Sequence, residues 1–443
     1  MLKKVLEGTL LEKNEPPLIT DPLVVIDGAC NGKREQFCMD ETALSRHTML
    51  IGCSGCGKTN TFFFFVEQLK AKMTEDDVMI IFDTKGDYYE RFYSEGDFVI
   101  STSDEFKDVK DKWNIYREIL LDGFDKRAIE AAATEIAWGL YSEVIEKNSS
   151  NPFFPNAARD LFSSILTCSI RHTDGKKDKI DKYLDNEFLR KMFDSMKDSK
   201  KISQLLGEYS DQASVMNYIG DGKNDQGLGV LAEMQNVVRN VFVGAFAEKG
   251  EFSVRQFVRN RGAKTLFIEY DISRGSTLTP IYKLLVDLAL KEAMGRKSKD
   301  KVKKGNVYIF CDEFKLLPHL KHIDDAVNFG RSLGVKIFAG LQSIDQLVEN
   351  YGESRSKNLI AGFSTVISFR ANDEGTRRFI SGRYGDNYII EQRKGIDPKP
   401  IEEKRMGKAV EDWELIGLDD GEAIVGILKH PPYKFYFDKY GRY

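Results

Sequence analysis

Residues 48–66 read T-M-L-I-G-C-S-G-C-G-K-T-N-T-F-F-F-F-V, and their types suit the handling of a phosphate chain. Glycines at 52, 55 and 57 let the backbone curl. Successive N–H groups of Gly52, Cys53, Ser54, Gly55, Cys56 and Gly57 can then converge on one anion. Lys58 places a cation against the terminal phosphates, Thr59 offers a hydroxyl to a divalent ion, and Asn60 completes the candidate binding set. The spacing is G-x-x-x-x-G-K-[ST], with an apolar strand before it and a hydrophobic helix after it. That context points to a nucleoside triphosphate.

A second group lies far downstream. Residues 307–311 are almost unbroken apolar sequence and end in Asp312-Glu313. A site that cleaves a triphosphate needs two carboxylates opposite its phosphate loop. Asp312 would hold Mg2+ through water, and Glu313 would orient and deprotonate the attacking water. Buried strands ending in acids also occur at helix caps. The intact phosphate loop upstream favours the catalytic reading.

Both groups need rigid elements behind them. Residues 49–51 form a short strand, 60–73 a helix, and 78–82 a buried strand running into D-T-K-G-D at 83–87, with a further strand at 98–101. Functional residues at strand ends mark the α/β arrangement in which ligands sit beyond the carboxyl ends of a parallel sheet. Between 104 and 261 the spacing turns helical, at 125–146, 156–171, 186–196, 201–216 and 229–247, with 220–227 as a mobile loop. Strand texture returns at 265–270, 307–311, 336–341 and 365–369, with a helix at 280–294. Alternating residues at 422–428 and 433–438 suggest a closing hairpin about Pro431-Pro432. The expected fold is an α/β core with a mostly parallel sheet, carried by 47–103 and 262–443. Residues 104–261 form an inserted all-α domain, and 1–46 a β-rich lead-in.

The chain has 443 residues, 42% of them hydrophobic, enough for a large core in more than one lobe. A net charge of -4 excludes a globally basic nucleic-acid binder, so any DNA contact must come from a local patch or an assembled ring. Six scattered cysteines suit a reducing compartment better than a disulfide framework. No signal peptide is visible and no apolar run approaches the ~20 residues of a spanning helix, so a cytoplasmic location is expected. Cys53 and Cys56 form a C-x-x-C, explained by small residues at free loop positions rather than by redox or zinc chemistry. The basic run 296–304 reads as a solvated loop, and His319 and His322 as part of a surface turn.

More specific are D-E-F-K-L-L-P-H-L from Asp312, G-R-S-L-G-V-K-I-F-A-G-L-Q-S-I-D-Q-L from Gly330, and Tyr351-Gly352. Together with D-T-K-G-D at 83–87, Trp113-Asn114 and N-P-F-F-P-N-A-A-R at 151–159, they resemble the type IV secretion coupling proteins of the TraG/TraD family. The resemblance runs from about 47 to 386. It implies a RecA-like P-loop ATPase of the HerA/FtsK type, with ATP and Mg2+ as cofactors and the ion on Thr59 and Asp312. It implies a homo-hexamer that feeds DNA, with single strands favoured, or a relaxase-like nucleoprotein into a conjugation channel. It further implies Gln342 as a sensor of the terminal phosphate or lytic water, and Arg331 as a finger reaching a neighbouring subunit's site. Unlike typical members, this sequence shows no membrane helices. The resemblance then implies recruitment to the inner face of a membrane by another subunit, a translocase outside secretion, or a nucleotide-gated adaptor.

Overall fold

A computed structural model describes residues 2–148, 150–195, 199–220, 225–295, 305–393 and 401–441. Fourteen strands run through the described residues. The first six are β1 (Leu2–Glu7), β2 (Val24–Cys30), β3 (Lys33–Met39), β4 (Thr48–Ile51), β5 (Val78–Asp83) and β6 (Phe98–Ile100). After the helical region come β7 (Lys264–Glu269), β8 (Val307–Cys311), β9 (Val335–Leu341) and β10 (Thr365–Ser368). The chain closes with β11 (Asp386–Arg393), β12 (Ile401–Lys408), β13 (Glu422–Ile427) and β14 (Tyr433–Phe437).

Eleven of these form one sheet in the order β3-β2-β14-β13-β10-β4-β9-β8-β5-β7-β6. From β10 to β6 every pairing is parallel. β4, β5, β8 and β9 are buried along their whole length, which is why they read as continuous apolar runs: both faces of a parallel sheet are covered. One face packs on the helical region and the other on the helix Lys58–Ala71. That helix buries four consecutive phenylalanines because its second turn is covered on every side, while Glu67 and Ala71 further on are exposed. Phe62 meets Phe310, Phe65 meets Phe338, Phe63 meets Tyr88, and Phe64 packs under Tyr440 from the far end of the chain.

β13 and β14 form the expected antiparallel hairpin, and it does more than close the chain. β13 pairs antiparallel with β10, and β14 pairs with β2. The segment read as a separate lead-in therefore extends the main sheet. Its alternating burial in β2 covers one sheet face and leaves the other half-exposed. A small antiparallel sheet, β1-β11-β12, was absent from the sequence reading. Its central strand, D-N-Y-I-I-E-Q-R, and the edge strand beside it, I-E-E-K-R-M-G-K, are too polar to show the alternation of a buried strand.

Between β6 and β7 the described chain is helical, led by Lys126–Lys147, Phe153–His172 and Asp225–Val241. The expected helix at 201–216 divides into Ser199–Gly207 and a 3-10 stretch Ser210–Tyr218. Residues 221–224 of the supposed mobile loop, and the basic run 296–304, lie outside the described residues. Trp113-Asn114 anchors the helical region to the core. The Asn114 side chain donates to the carbonyls of Leu184 and Gly250, and the Trp113 indole donates to the buried Glu118. All six cysteines are free.

Candidate active site

The phosphate loop leaves the carboxyl end of β4 in the middle of the parallel sheet, with β10 on one side and β9 on the other. Its amides at Gly52 and Cys53 are tied to the sheet, donating to the carbonyls of Leu341 at 3.1 Å and Arg370 at 2.8 Å. The amides from Ser54 to Gly57 have no acceptor among the described residues and open toward the N-terminus of the helix that follows. Gly52 has to be glycine here. Its φ is +152°, and a Cβ would lie 2.7 Å from Cβ of Phe369.

Lys58 is buried, and its Nζ donates to the carbonyls of Gly52 (2.7 Å) and Cys53 (3.0 Å), inside the cradle. Cys56 is buried beneath the loop, its Sγ donating to the Cys53 carbonyl at 2.8 Å. Burial pushes its thiol up to about 11, so Cys56 is a shaping residue and a poor nucleophile. The Asn60 side chain turns to the C-terminal segment, donating to the Asp438 carbonyl and accepting from the Tyr440 amide.

β8 stands two strands from β4 and brings its carboxylates to the same edge. Thr59 Oγ1 donates to Asp312 Oδ2 at 2.6 Å. Tyr88 donates its phenol to the same oxygen at 3.1 Å. Burial raises the Asp312 pKa, and the hydrogen bonds from Thr59 and Tyr88 oppose that rise. Gly340 on β9 makes the approach possible, since a Cβ there would lie 2.1 Å from the Asp312 carbonyl. Beside it, Gln342 Nε2 donates to both oxygens of Glu313, at 3.2 and 3.3 Å.

These bonds place Lys58, Thr59, Asp312, Glu313 and Gln342 in one cleft. Hydroxyl and carboxylate oxygens at Thr59 and Asp312 form a hard-donor pair of the kind Mg2+ takes in phosphate sites, and the open amides fit phosphate oxygens. Arg331 is not part of that cleft. It is exposed in the short turn Gly330–Leu333 before β9, at the amino edge of the sheet. The seven residues of β9 put roughly 20 Å of strand between it and the phosphate loop of its own chain.

The sequence reading missed Tyr88 and the role of Asp83. The Asp83 carboxylate accepts from the amides of Lys85, Tyr88 and Tyr89 and fixes the turn that aims Tyr88 at Asp312. The D-T-K-G-D run was the available signal, but only the pairing of β5 with β8 shows what it touches. His319 lies on a turn, as expected, and pairs with Glu146 of the helical region, whereas His322 is more deeply covered and pairs with Glu135.

The family described as type IV secretion-system coupling protein DNA-binding domain matches residues 36–399. The coupling protein TraD of Escherichia coli (strain K12) is 22% identical over 389 residues, covering 85% of this chain and 49% of TraD. The chain spans about half the length, 49% and 42%, of the curated relatives it matches. Among solved structures, the unbound bacterial conjugative coupling protein TrwBdeltaN70 superimposes with a TM-score of 0.72 at 18% identity, over 99% of this chain and 93% of that one. The plasmid coupling protein TrwB in complex with ADP and Mg2+ gives 0.69 at 18% identity, over 99% and 94%. The fold is therefore that of a RecA-like P-loop core with a helical region.

Proposed function

Because the chain belongs to the family of the type IV secretion-system coupling protein DNA-binding domain, we propose that it hydrolyses ATP to drive DNA, or a protein–DNA conjugate, toward a conjugative secretion channel. The observation that carries this reading is the 2.6 Å bond from Thr59 to Asp312, which closes the phosphate loop onto the strand bearing Glu313. TrwB, which shares the fold, is described with ADP and Mg2+ and with a non-hydrolysable ATP analogue.

In this reading the amides of Ser54–Gly57 bind the phosphates, and Lys58 moves from the Gly52 and Cys53 carbonyls to the phosphate oxygens. Thr59 and Asp312 would hold Mg2+, which neutralises charge on the phosphates when bound. Gln342 orients a water for in-line attack, and Glu313 accepts its proton. Arg331 is too far from its own loop and acts across a subunit boundary. The working state is then a ring, taken as a homo-hexamer.

DNA, with single strands favoured, and a relaxase-like nucleoprotein are the proposed partners, the latter recruited by residues 104–261. The chain divides into that region and a nucleotide-binding lobe of 47–103 with 262–443, to which the observed sheet adds β2 and β3. No helix among the described residues is long and apolar enough to cross a membrane. Work at the inner face of the cell membrane would use another subunit as the anchor.

The test is phosphate release against protein concentration, with and without DNA, for wild type and Arg331→Ala. Activity should rise cooperatively with assembly, respond to DNA and collapse in the variant. Nucleotide binding with no hydrolysis at any concentration would reduce the protein to a nucleotide-gated adaptor.

A further inference from the structure

Residues 313–322 run from the catalytic base Glu313 to the helical region, and the segment is held along its length. Glu313 opens a 3-10 turn, Phe314–Leu316. The carbonyl of Lys315 accepts from Asn350 at 2.8 Å, and that of Leu317 accepts from the Tyr351 phenol at 2.8 Å. Phe314 stacks on the Tyr351 ring. The segment then crosses the helix Gly275–Met294, where the buried Asp287 carboxylate accepts from the amides of Lys321 (2.8 Å) and His322 (3.0 Å). Its far end meets the helix Lys126–Lys147. His322 Nε2 lies 2.9 Å from Glu135 Oε1, Lys321 sits over the Trp138 ring, and His319 Nε2 lies 3.3 Å from Glu146 Oε2.

Glu135, Trp138 and Glu146 fall at i, i+3 and i+11, which is one face of a helix. One stripe of the first long helix therefore rests on the segment that starts at the catalytic base Glu313. Lys291 shares Glu135 with His322, so the same carboxylate also fastens the helix beneath. Ordinary packing would need none of these polar groups. A buried carboxylate spent on two loop amides and a half-buried histidine–carboxylate pair fix direction as well as contact.

We propose that residues 313–322 act as a lever through which the helical region sets the position of Glu313, with Asp287, His322 and Glu135 as positioning residues. Cargo that shifts the first long helix moves Glu135, and the lever carries the shift to the acid. The inference rests on the ATPase reading above and adds the route by which cargo controls turnover.

The experiment uses the full chain with single-stranded DNA as the probe. Glu135→Ala, His322→Ala and the double variant are compared with wild type, and His322→Gln restores an N–H donor to Glu135. Each alanine variant should lower kcat with DNA by about tenfold, because a small misplacement of the acid suffices. The KM for ATP and the affinity for a fluorescent ATP analogue should stay within about twofold. The double variant should be no worse than either single, and His322→Gln should recover most of the loss. Hydrogen exchange across 317–322 should rise in the alanine variants even without nucleotide or DNA.

Singles that keep the wild-type kcat, a double that multiplies two independent losses, or unchanged exchange would overturn the lever. A wild type that hydrolyses nothing would sink the ATPase reading instead, and the exchange measurement would still decide whether the pair holds the loop.

Discussion

At the scale of single residues, the phosphate loop depends on backbone freedom, and the sheet behind it holds a carboxyl that burial keeps protonated. Gly57 has φ +117°, and a Cβ there would lie 3.2 Å from the Phe369 ring. Gly57→Ala should therefore abolish ATP binding and destabilise the loop by about 1–3 kcal/mol, read by calorimetric titration and thermal melting. Glu269 at the end of β7 is buried, and Oε1 has no partner among the described residues. Burial, reinforced by Asp83 and Glu105, pushes its carboxyl up to about 9 from an ordinary 4.5. Between those values the folded chain holds a proton that the unfolded chain releases, so stability falls as pH rises. The isosteric Glu269→Gln should match wild type near pH 4 and exceed it by on the order of 3 kcal/mol at pH 7 in urea unfolding. An unchanged difference across that range would contradict the assignment. That the loop residues and Asp312-Glu313 share one edge of the sheet is legible in sequence, because each group follows an apolar strand. Tyr88 and Glu269 are not, because their roles come from strands that meet only in the folded sheet.

At the scale of elements, strands buried on both faces announce themselves as apolar runs, and this is why the parallel core could be read almost whole. β11 and β12 escaped because their pairing is mainly with each other and β1, and their sequences are polar. The Trp113-Asn114 pair, part of the family resemblance, has a structural reason. Glu118, five residues beyond the tryptophan, is wholly buried and accepts from the Trp113 indole, the Ser253 hydroxyl and the amides of Val254 and Arg255. It ties the start of the helical region to the N-terminus of the helix Val254–Asn260, which leads back to β7. An amide at this position could accept at only one oxygen, so Glu118→Gln should lower stability by about 2–4 kcal/mol. Its melting temperature should fall while the affinity for ATP at low temperature holds. A variant that melts like wild type would mean that the network adds nothing.

At the scale of the whole molecule, the parallel sheet sets the phosphate loop and Arg331 on opposite edges. A chain acting alone cannot bring them together, whereas a head-to-tail ring can. Equal mixing of Arg331→Ala with Glu313→Gln should then recover activity, because about a quarter of the interfaces join an intact acid to an intact arginine. Two inactive proteins that stay inactive when mixed would rule out action across the interface. Beneath the proposed ring, lever and cargo lies one claim, that a triphosphate on the amides of residues 54–57 is cut with the help of the Glu313 carboxylate that follows β8. The most direct measurement is ATP occupancy together with single-turnover hydrolysis in Glu313→Gln. The expected result is full occupancy with cleavage slowed at least about a hundredfold. Cleavage at the wild-type rate, or a loop that binds no ATP in either protein, would contradict it.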